Sequence, residues 1–129
     1  MKGRTYLMKH QSGFTLIELV MVIVIIAVLA AVGLPKQLDI KSDAQQAAVN
    51  SVAGSLGVAS ATNAAARQAN VVNGVAVTNC TDVANALNGG LPNGYGITPG
   101  GVTAGSSATC TVTRTDGPQT AYFVAQGIN

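Results

Sequence analysis

The stretch that decides the fold reads Gly13-Phe14-Thr15-Leu16-Ile17-Glu18 and continues without another charge to Leu34, where Pro35 follows. The 21 residues from Phe14 to Leu34 are rich in Val, Ile, Leu and Ala. Because a helix rises about 1.5 Å per residue, this run can span a hydrocarbon core about 30 Å thick. We therefore predict a membrane-spanning helix over residues 14–35. Pro35 lacks a backbone donor and is expected to bend or end it.

The Glu18 carboxylate is costly within such a helix. Insertion scales assign about 2.5 to 3.5 kcal/mol to a charged side chain in a membrane. No Lys, Arg or His lies between Phe14 and Pro35 to neutralise it. A cut before Phe14 would create an α-amino group beside the carboxylate of a neighbouring copy. We therefore predict that the Glu18 carboxylate interacts with a partner outside its own helix.

The same residues resemble the class III signal of type IV pilins and pseudopilins. The resemblance covers residues 13–48 in detail and the rest by general layout. It implies cleavage between Gly13 and Phe14 by a prepilin peptidase and methylation of the new Phe14 amine. It also implies that Glu18 pairs with that amine on an adjacent subunit, and that Ala27 to Pro35 loses helix when subunits pack.

The predicted leader, residues 1–13, is basic. Positive charge before an apolar run favours a cytoplasmic N-terminus and an exported C-terminal part. Translation from Met8 instead of Met1 would leave a short leader, which resembles the IVa subgroup, as does Phe at the first mature position. The leader cations are Lys2, Arg4 and Lys9.

An ordinary secretory signal is the competing interpretation of this segment. Its apolar region is usually 7 to 15 residues and is removed after small residues. Ala27 to Ala31 resembles such a site. That interpretation leaves both Glu18 and the Gly13-Phe14 pair unexplained, so we favour the prepilin signal.

Residues 36–70 are predicted to form the amphipathic second half of the same long helix, because Ala is abundant and Pro is absent after Pro35. One face should bury against a sheet of the same chain, and the opposite face of small residues would allow another helix to approach. Simple exposure of that small face to solvent is the alternative. The larger face comprises Val49, Val52, Leu56 and Ala59, and the small face comprises Gly54, Gly57, Ala61 and Ala65.

Residues 71–129 are predicted to form a small exported β-rich region. Val71 to Val77 is compatible with a hairpin turning at Asn73-Gly74, with a single strand, or with an irregular crossing. Thr81 is expected to cap a short helix from Asp82 to Leu87. Asn88 to Ser107 contains seven glycines and two prolines and is predicted to be a loop.

Two strands close the chain, Ala108 to Thr115 and Thr120 to Ala125, joined through Asp116-Gly117-Pro118-Gln119. The fold class is therefore α+β. A long N-terminal helix, half membrane-spanning and half amphipathic, packs on a small antiparallel sheet. The residues expected to point inward are Val112, Tyr122 and Val124.

The two cysteines, Cys80 and Cys110, would lie in an oxidising compartment if this region is exported, and we predict a disulfide between them. The bridge would close a loop of about 31 residues and contribute about 3 to 4 kcal/mol in the chain-entropy model. A region of this size has trouble burying a sufficient core alone. The bridge and the long helix are expected to supply what is missing.

The composition argues against catalysis. His10 is the only histidine and would leave with the leader, which excludes His-based triads and His-rich metal sites in the mature chain. We predict no enzyme activity, no metal and no cofactor. From Phe14 onward, four cationic side chains face five carboxylates, so nucleic acid is an improbable partner. The cations are Lys36, Lys41, Arg67 and Arg114.

The resulting hypothesis is a major pilin, IVa-like or like the mannose-sensitive haemagglutinin type. It would act as a structural subunit of a type IV pilus, a surface fimbrium for adhesion or twitching motility. Its partners would be identical subunits in a helical homopolymer, prepilin peptidase and the inner-membrane assembly machinery. It would reside in the bacterial inner membrane before joining the extracellular pilus. The alternatives are a minor pilin, a type II secretion pseudopilin, or a single-pass anchor that carries a small ligand-binding domain, such as a competence pilin that binds DNA.

Overall fold

The computed structural model describes Gly3 and residues 13–129. The rest of the predicted leader lies outside the described residues. That part includes the alternative start at Met8 and the histidine His10. The chain divides into two compact units, Met1–Asp39 and Ile40–Asn129. These are the N-terminal unit and the C-terminal unit below.

Helix α1 covers Leu16–Ala69, 54 residues, and contributes to both units. Pro35 lies inside it, so the helix does not end there and the two predicted halves form one helix. A proline inside a helix costs about 3 kcal/mol, because it removes one hydrogen bond and crowds the preceding turn. That cost is local, and the Leu-rich and Ala-rich residues on either side propagate the helix past it.

The C-terminal unit contains a three-stranded antiparallel sheet in the order β1-β2-β3. Strand β1 is Tyr95–Ile97, β2 is Ser107–Arg114 and β3 is Thr120–Gln126. The two predicted C-terminal strands are therefore confirmed. The α+β class, with a long helix packed on a small antiparallel sheet, is confirmed as well.

Strand β1 corrects the prediction of a continuous loop from Asn88 to Ser107. Tyr95 pairs with Arg114 and Ile97 pairs with Val112 along β2. Three residues are too few to show an alternating pattern. The strand forms because β2 offers it a free edge, which is a tertiary effect that the local composition does not contain.

The inward face of the sheet is predicted correctly at one position and wrongly at two. Val112 is fully buried, whereas Tyr122 is 71% exposed and Val124 is 48% exposed. The pairing places Val112 opposite Ala121, so odd-numbered residues of β3 share its face. A shift of one residue moves every side chain to the other face of a strand. The inward residues of β3 are Ala121, Phe123 and Ala125.

The larger face of α1 supplies the other side of the core, as predicted. Val49 and Leu56 are fully buried, and Val52 and Ala59 are half-buried. A polar contact that the sequence did not reveal lies on the same side. The buried Ser60 hydroxyl accepts a hydrogen bond of 2.7 Å from the Gln126 amide. This bond satisfies a main-chain donor of β3.

Three alternatives were open for Val71 to Val77, and the structure shows the irregular crossing. The hairpin at Asn73-Gly74 is not formed. Only Val77 joins an isolated bridge there, with Ile128. The buried Asn63 side chain holds the crossing, since it donates to the Val75 carbonyl and accepts from the Val75 amide, both at 2.8 Å.

The predicted short helix is also revised. A 3-10 turn over Cys80–Asp82 leads into α2, Val83–Ala86. The cap of the 3-10 turn is Asn79, not Thr81, because the Asn79 carboxamide accepts from the Thr81 amide while the Asp82 carboxylate accepts from the Asn79 amide. Asn ranks above Thr as an N-cap, and this reciprocal pair is a capping box.

Candidate functional site

The N-terminal segment places the predicted cleavage residues just outside α1. Gly13, Phe14 and Thr15 are exposed and non-helical, and the helix begins at Leu16. The Thr15 carbonyl accepts from the Leu19 amide at 3.2 Å, which is the first helical hydrogen bond. Thr15 therefore occupies the N-cap position.

Glu18 lies three residues after this cap and bonds back to it. The Thr15 amide donates to Glu18 Oε2 at 3.1 Å, and the Glu18 amide donates to Thr15 Oγ1 at 3.3 Å. This reciprocal arrangement is a capping box. The sequence reasoning used Glu18 as a lone carboxylate and missed Thr15. The Thr-x-x-Glu spacing before an apolar run was the signal that would have found it.

The capping box gives the Glu18 carboxylate a neutral partner, not a cationic one. Oε2 accepts from a main-chain amide, and the described residues supply no cation to the group. The negative charge also lies in the first turn, where the helix dipole favours an anion. The arrangement orients the carboxylate at the helix start without neutralising it.

The apolar surface of α1 in the N-terminal unit is uncovered. With Phe14 just before the helix, the large hydrophobic residues up to Leu34 range from 45% exposed at Val20 to 88% exposed at Phe14. By length and composition this helix could cross a membrane. Exposed apolar patches of this extent mark an interaction surface for lipid or protein.

Pro35 and Glu18 are not brought together. Both lie on α1, and 17 residues at about 1.5 Å per residue separate them by about 25 Å. The side chain of Pro35 is exposed. Any role in assembly is therefore independent of contact with the carboxylate in the same chain.

The disulfide joins Cys80 to Cys110, with the two Cα atoms 5.7 Å apart. Both residues are buried in the C-terminal unit. The bridge connects the start of the 3-10 turn to the middle of β2, so it fixes the irregular segment before the sheet. The predicted pairing is confirmed.

The charged groups of the C-terminal unit have structural partners. Hydrogen bonds from the Thr78 amide, and then from the Asn79 amide and the Thr78 hydroxyl, lower the pKa of Asp82 against the opposing effect of desolvation. Arg114 donates two hydrogen bonds to Asp116, and this pairing lowers the pKa of the Asp116 carboxyl. The Arg114 guanidinium also lies over the Tyr95 ring, 5.7 Å from its centroid.

Two open grooves flank α1 within the C-terminal unit. One lies between α1 and the segment from Gly74 to Asn88, and the other lies between α1 and β3. Within the described part of the chain, their linings contain no His, Cys, carboxylate or cationic side chain. Nor do three His, Cys, Asp or Glu side chains gather as a metal site among residues 13–129.

Comparison with known protein families gives a match at the N-terminus. A family model described as the prokaryotic N-terminal methylation motif matches residues 8–34. No curated protein and no solved structure matches the chain. The match supports a pilin-like prepilin with a class III signal, in a group that is typically structural. It implies processing by a prepilin peptidase and use of pilus assembly machinery, and it fits an inner-membrane precursor.

Proposed function

We propose that the mature chain is a major pilin, the structural subunit of a type IV pilus that serves adhesion or motility at the cell surface. The observation that carries the proposal is the exposed apolar surface from Phe14 to Leu34 in the N-terminal unit. A filament core made of such helices would cover it. The matching methylation motif lies on the same residues.

The pathway begins with processing. Prepilin peptidase cleaves the Gly13-Phe14 bond and the new Phe14 amine is methylated. The apolar half of α1 then holds the mature subunit in the inner membrane until it docks at the base of a growing filament. Docking exchanges lipid contacts for helix contacts, so the membrane segment and the filament core are the same residues.

Glu18 sets the register of that docking. Within its own chain the Glu18 carboxylate accepts from a neutral main-chain amide, and an unmatched charge in an apolar filament core would cost several kcal/mol. The Phe14 amine of an adjacent subunit supplies the opposite charge at the same depth. Because each subunit offers both groups at different places, the contact is head-to-tail and produces an open helical fibre.

Pro35 weakens the helix locally. Its ring removes one main-chain hydrogen bond from α1, so the helix around it is held less firmly than the rest. We propose that Ala27 to Pro35 loses helix when subunits pack. This local melting lets the chain adapt to its neighbours without disturbing the first turns at Glu18.

The decisive experiment is electron microscopy of sheared surface material, combined with N-terminal mass spectrometry. Abundant fibres composed of this chain, beginning at N-methylated Phe14, are expected. The control replaces Gly13 by Leu, which should trap the precursor and abolish fibres. A mature Phe14 terminus in Gly13→Leu would contradict the proposed site. Fibres that form only when another pilin is supplied would identify a minor subunit instead.

A second experiment isolates the charge of Glu18. Glu18→Gln keeps the hydrogen-bonding shape at the helix start, since Gln also completes a capping box, but removes the charge. Membrane insertion and processing should be unchanged, whereas fibre yield should fall at least ten-fold. Normal piliation in Glu18→Gln would refute the proposed pairing with the amine.

A further inference from the structure

The helix start at Thr15 has a consequence for the bond before it. The Thr15 carbonyl receives the first helical hydrogen bond, and the Thr15 and Glu18 side chains and amides close the capping box. An N-cap residue has non-helical backbone angles, so the helix does not continue past it toward the N-terminus. Gly13 and Phe14 accordingly remain outside α1.

An apolar environment opposes this boundary. Main-chain groups in a membrane must be satisfied within the segment, which favours extending a helix wherever the sequence allows. If the helix extended to Gly13, the Gly13 carbonyl would accept a hydrogen bond from the Ile17 amide in the i to i+4 pattern. The carbonyl of the cleaved bond would then be engaged and shielded by the first helical turn.

We propose that Thr15 is a positioning residue for processing: its capping box with Glu18 stops α1 one residue after Phe14 and keeps the Gly13 carbonyl free for hydrolysis. In that step water adds across the amide. Its oxygen goes to the Gly13 carbonyl carbon and leaves a carboxylate, while the nitrogen of Phe14 takes a proton and departs as the amine. The inference rests on the proposed cleavage between Gly13 and Phe14.

The role of Thr15 is distinct from that of the Glu18 charge. The box requires a hydroxyl at position 15 and a side-chain acceptor at position 18, but it does not require a negative charge. Processing should therefore follow the capping box, and assembly should follow the charge. Thr15→Ala removes the cap and retains the charge, whereas Glu18→Gln does the reverse.

The test uses the full-length chain in detergent micelles with purified prepilin peptidase. Initial cleavage rates are compared for wild type, Thr15→Ala and Thr15→Ser. Thr15→Ala should lose about five-fold in kcat/KM, the factor that an ordinary helix cap supports. Thr15→Ser, which preserves the box, should restore the wild-type rate.

Hydrogen exchange of the Ile17 amide gives a second readout. Extension of the helix in Thr15→Ala should protect this amide, and Thr15→Ser should leave it as in wild type. Wild-type cleavage of Thr15→Ala, or slower cleavage without added protection at Ile17, would overturn the inference. Absence of cleavage in the wild-type chain would instead overturn the proposed processing itself, so the two failures are distinguishable.

Discussion

Glu18 has a local role at the helix start and, in the proposed filament, an intermolecular one. Its Oε2 atom accepts from the Thr15 amide, which satisfies one of the donors that every helix start leaves free. A neutral amide orients a carboxylate without neutralising it, so the charge is still available to a cation from another subunit. A neutral hydroxyl at position 18 could accept the hydrogen bond from the Thr15 amide, but it could not pair with a cation.

Asp82 is a second carboxylate whose role depends on hydrogen bonds. Because donors from Thr78 and Asn79 lower the pKa of Asp82, the ionised form stabilises the fold. This contribution is complete above the unfolded pKa, near about 4, and is lost as pH falls through the lower folded value. We predict that the C-terminal unit loses stability below about pH 4 and that Asp82→Asn flattens the dependence.

The measurement is thermal unfolding of the detergent-solubilised chain, followed by tyrosine near-UV circular dichroism from about pH 7 to about pH 2.5. Asp116→Asn is the matched control. The pKa of Asp116 is also lowered, by Arg114, but the Asp116 carboxylate is exposed, so the pair contributes little. An unchanged pH dependence in Asp82→Asn would rule out the role assigned to these hydrogen bonds.

Among the elements, the irregular segment before the sheet depends most on the disulfide. The Cys80 to Cys110 bridge closes a loop of about 31 residues, and its loss should destabilise the C-terminal unit by about 3 to 4 kcal/mol. Denaturant unfolding of the Cys80→Ser, Cys110→Ser double variant measures this directly. Reduced wild type should behave like the double variant, and equal stability of oxidised and reduced chains would contradict the prediction.

Substitutions on the small face of α1 can distinguish effects on subunit stability from effects on assembly. In the isolated chain a Cβ added at Gly54 or Gly57 meets nothing within 4 Å. Gly54→Ala and Gly57→Ala should therefore stabilise the subunit by about 0.5 to 1 kcal/mol each, through helix propensity. If another helix packs on this face, the same variants should reduce fibre yield.

The experiment pairs denaturant midpoints with fibre yield by sedimentation. Ala59→Gly is a useful counterpart, because it lowers helix propensity on the core-facing side of α1. Greater subunit stability with unchanged fibre yield would show that the small face is turned to solvent. Destabilisation by Gly57→Ala would contradict the open space around that glycine.

An element can be predicted from the sequence when its own residues determine it, and not when it depends on pairing with another element. Strands β2 and β3 are long enough to show β-rich composition, so their positions follow from the sequence. Which face of β3 is buried depends on the pairing of Val112 with Ala121, a register that the strand alone does not encode. β1 exists only because β2 offers an edge, so its three residues carry no independent signal.

The candidate site is easier to predict from the sequence than the sheet, because its residues are neighbours along the chain. Cleavage residues, carboxylate and capping partner lie within the six positions from Gly13 to Glu18, and each relation depends on spacing along one helix start. The partner of Glu18 is different. In the proposed filament it belongs to another subunit, and neither the spacing nor the fold of one chain determines how that subunit is placed.

Considered as a whole, the mature chain has little net charge and a large uncovered apolar helix. From Phe14 onward, four cationic side chains nearly balance five side-chain carboxylates. Long-range electrostatic attraction between subunits is therefore small, whereas burial of apolar surface contributes roughly 25 cal/mol per Å² relative to water. Filament cohesion in water should depend on the apolar half of α1.

This balance predicts how assembled fibres respond to solvent. Raising salt from about 0.1 M to about 1 M shortens the Debye length from about 10 Å to about 3 Å, which weakens exposed ion pairs and leaves buried ones largely unaffected. In the proposed filament, apolar contacts and the shielded Glu18 pairing hold the core, so fibres should stay intact at high salt and dissociate in detergent. Sedimentation of sheared fibres under the three conditions measures this, with N-terminal mass spectrometry to identify the pelleted subunit. Dissolution at about 1 M salt without detergent would place the cohesion in surface charges and contradict an apolar core.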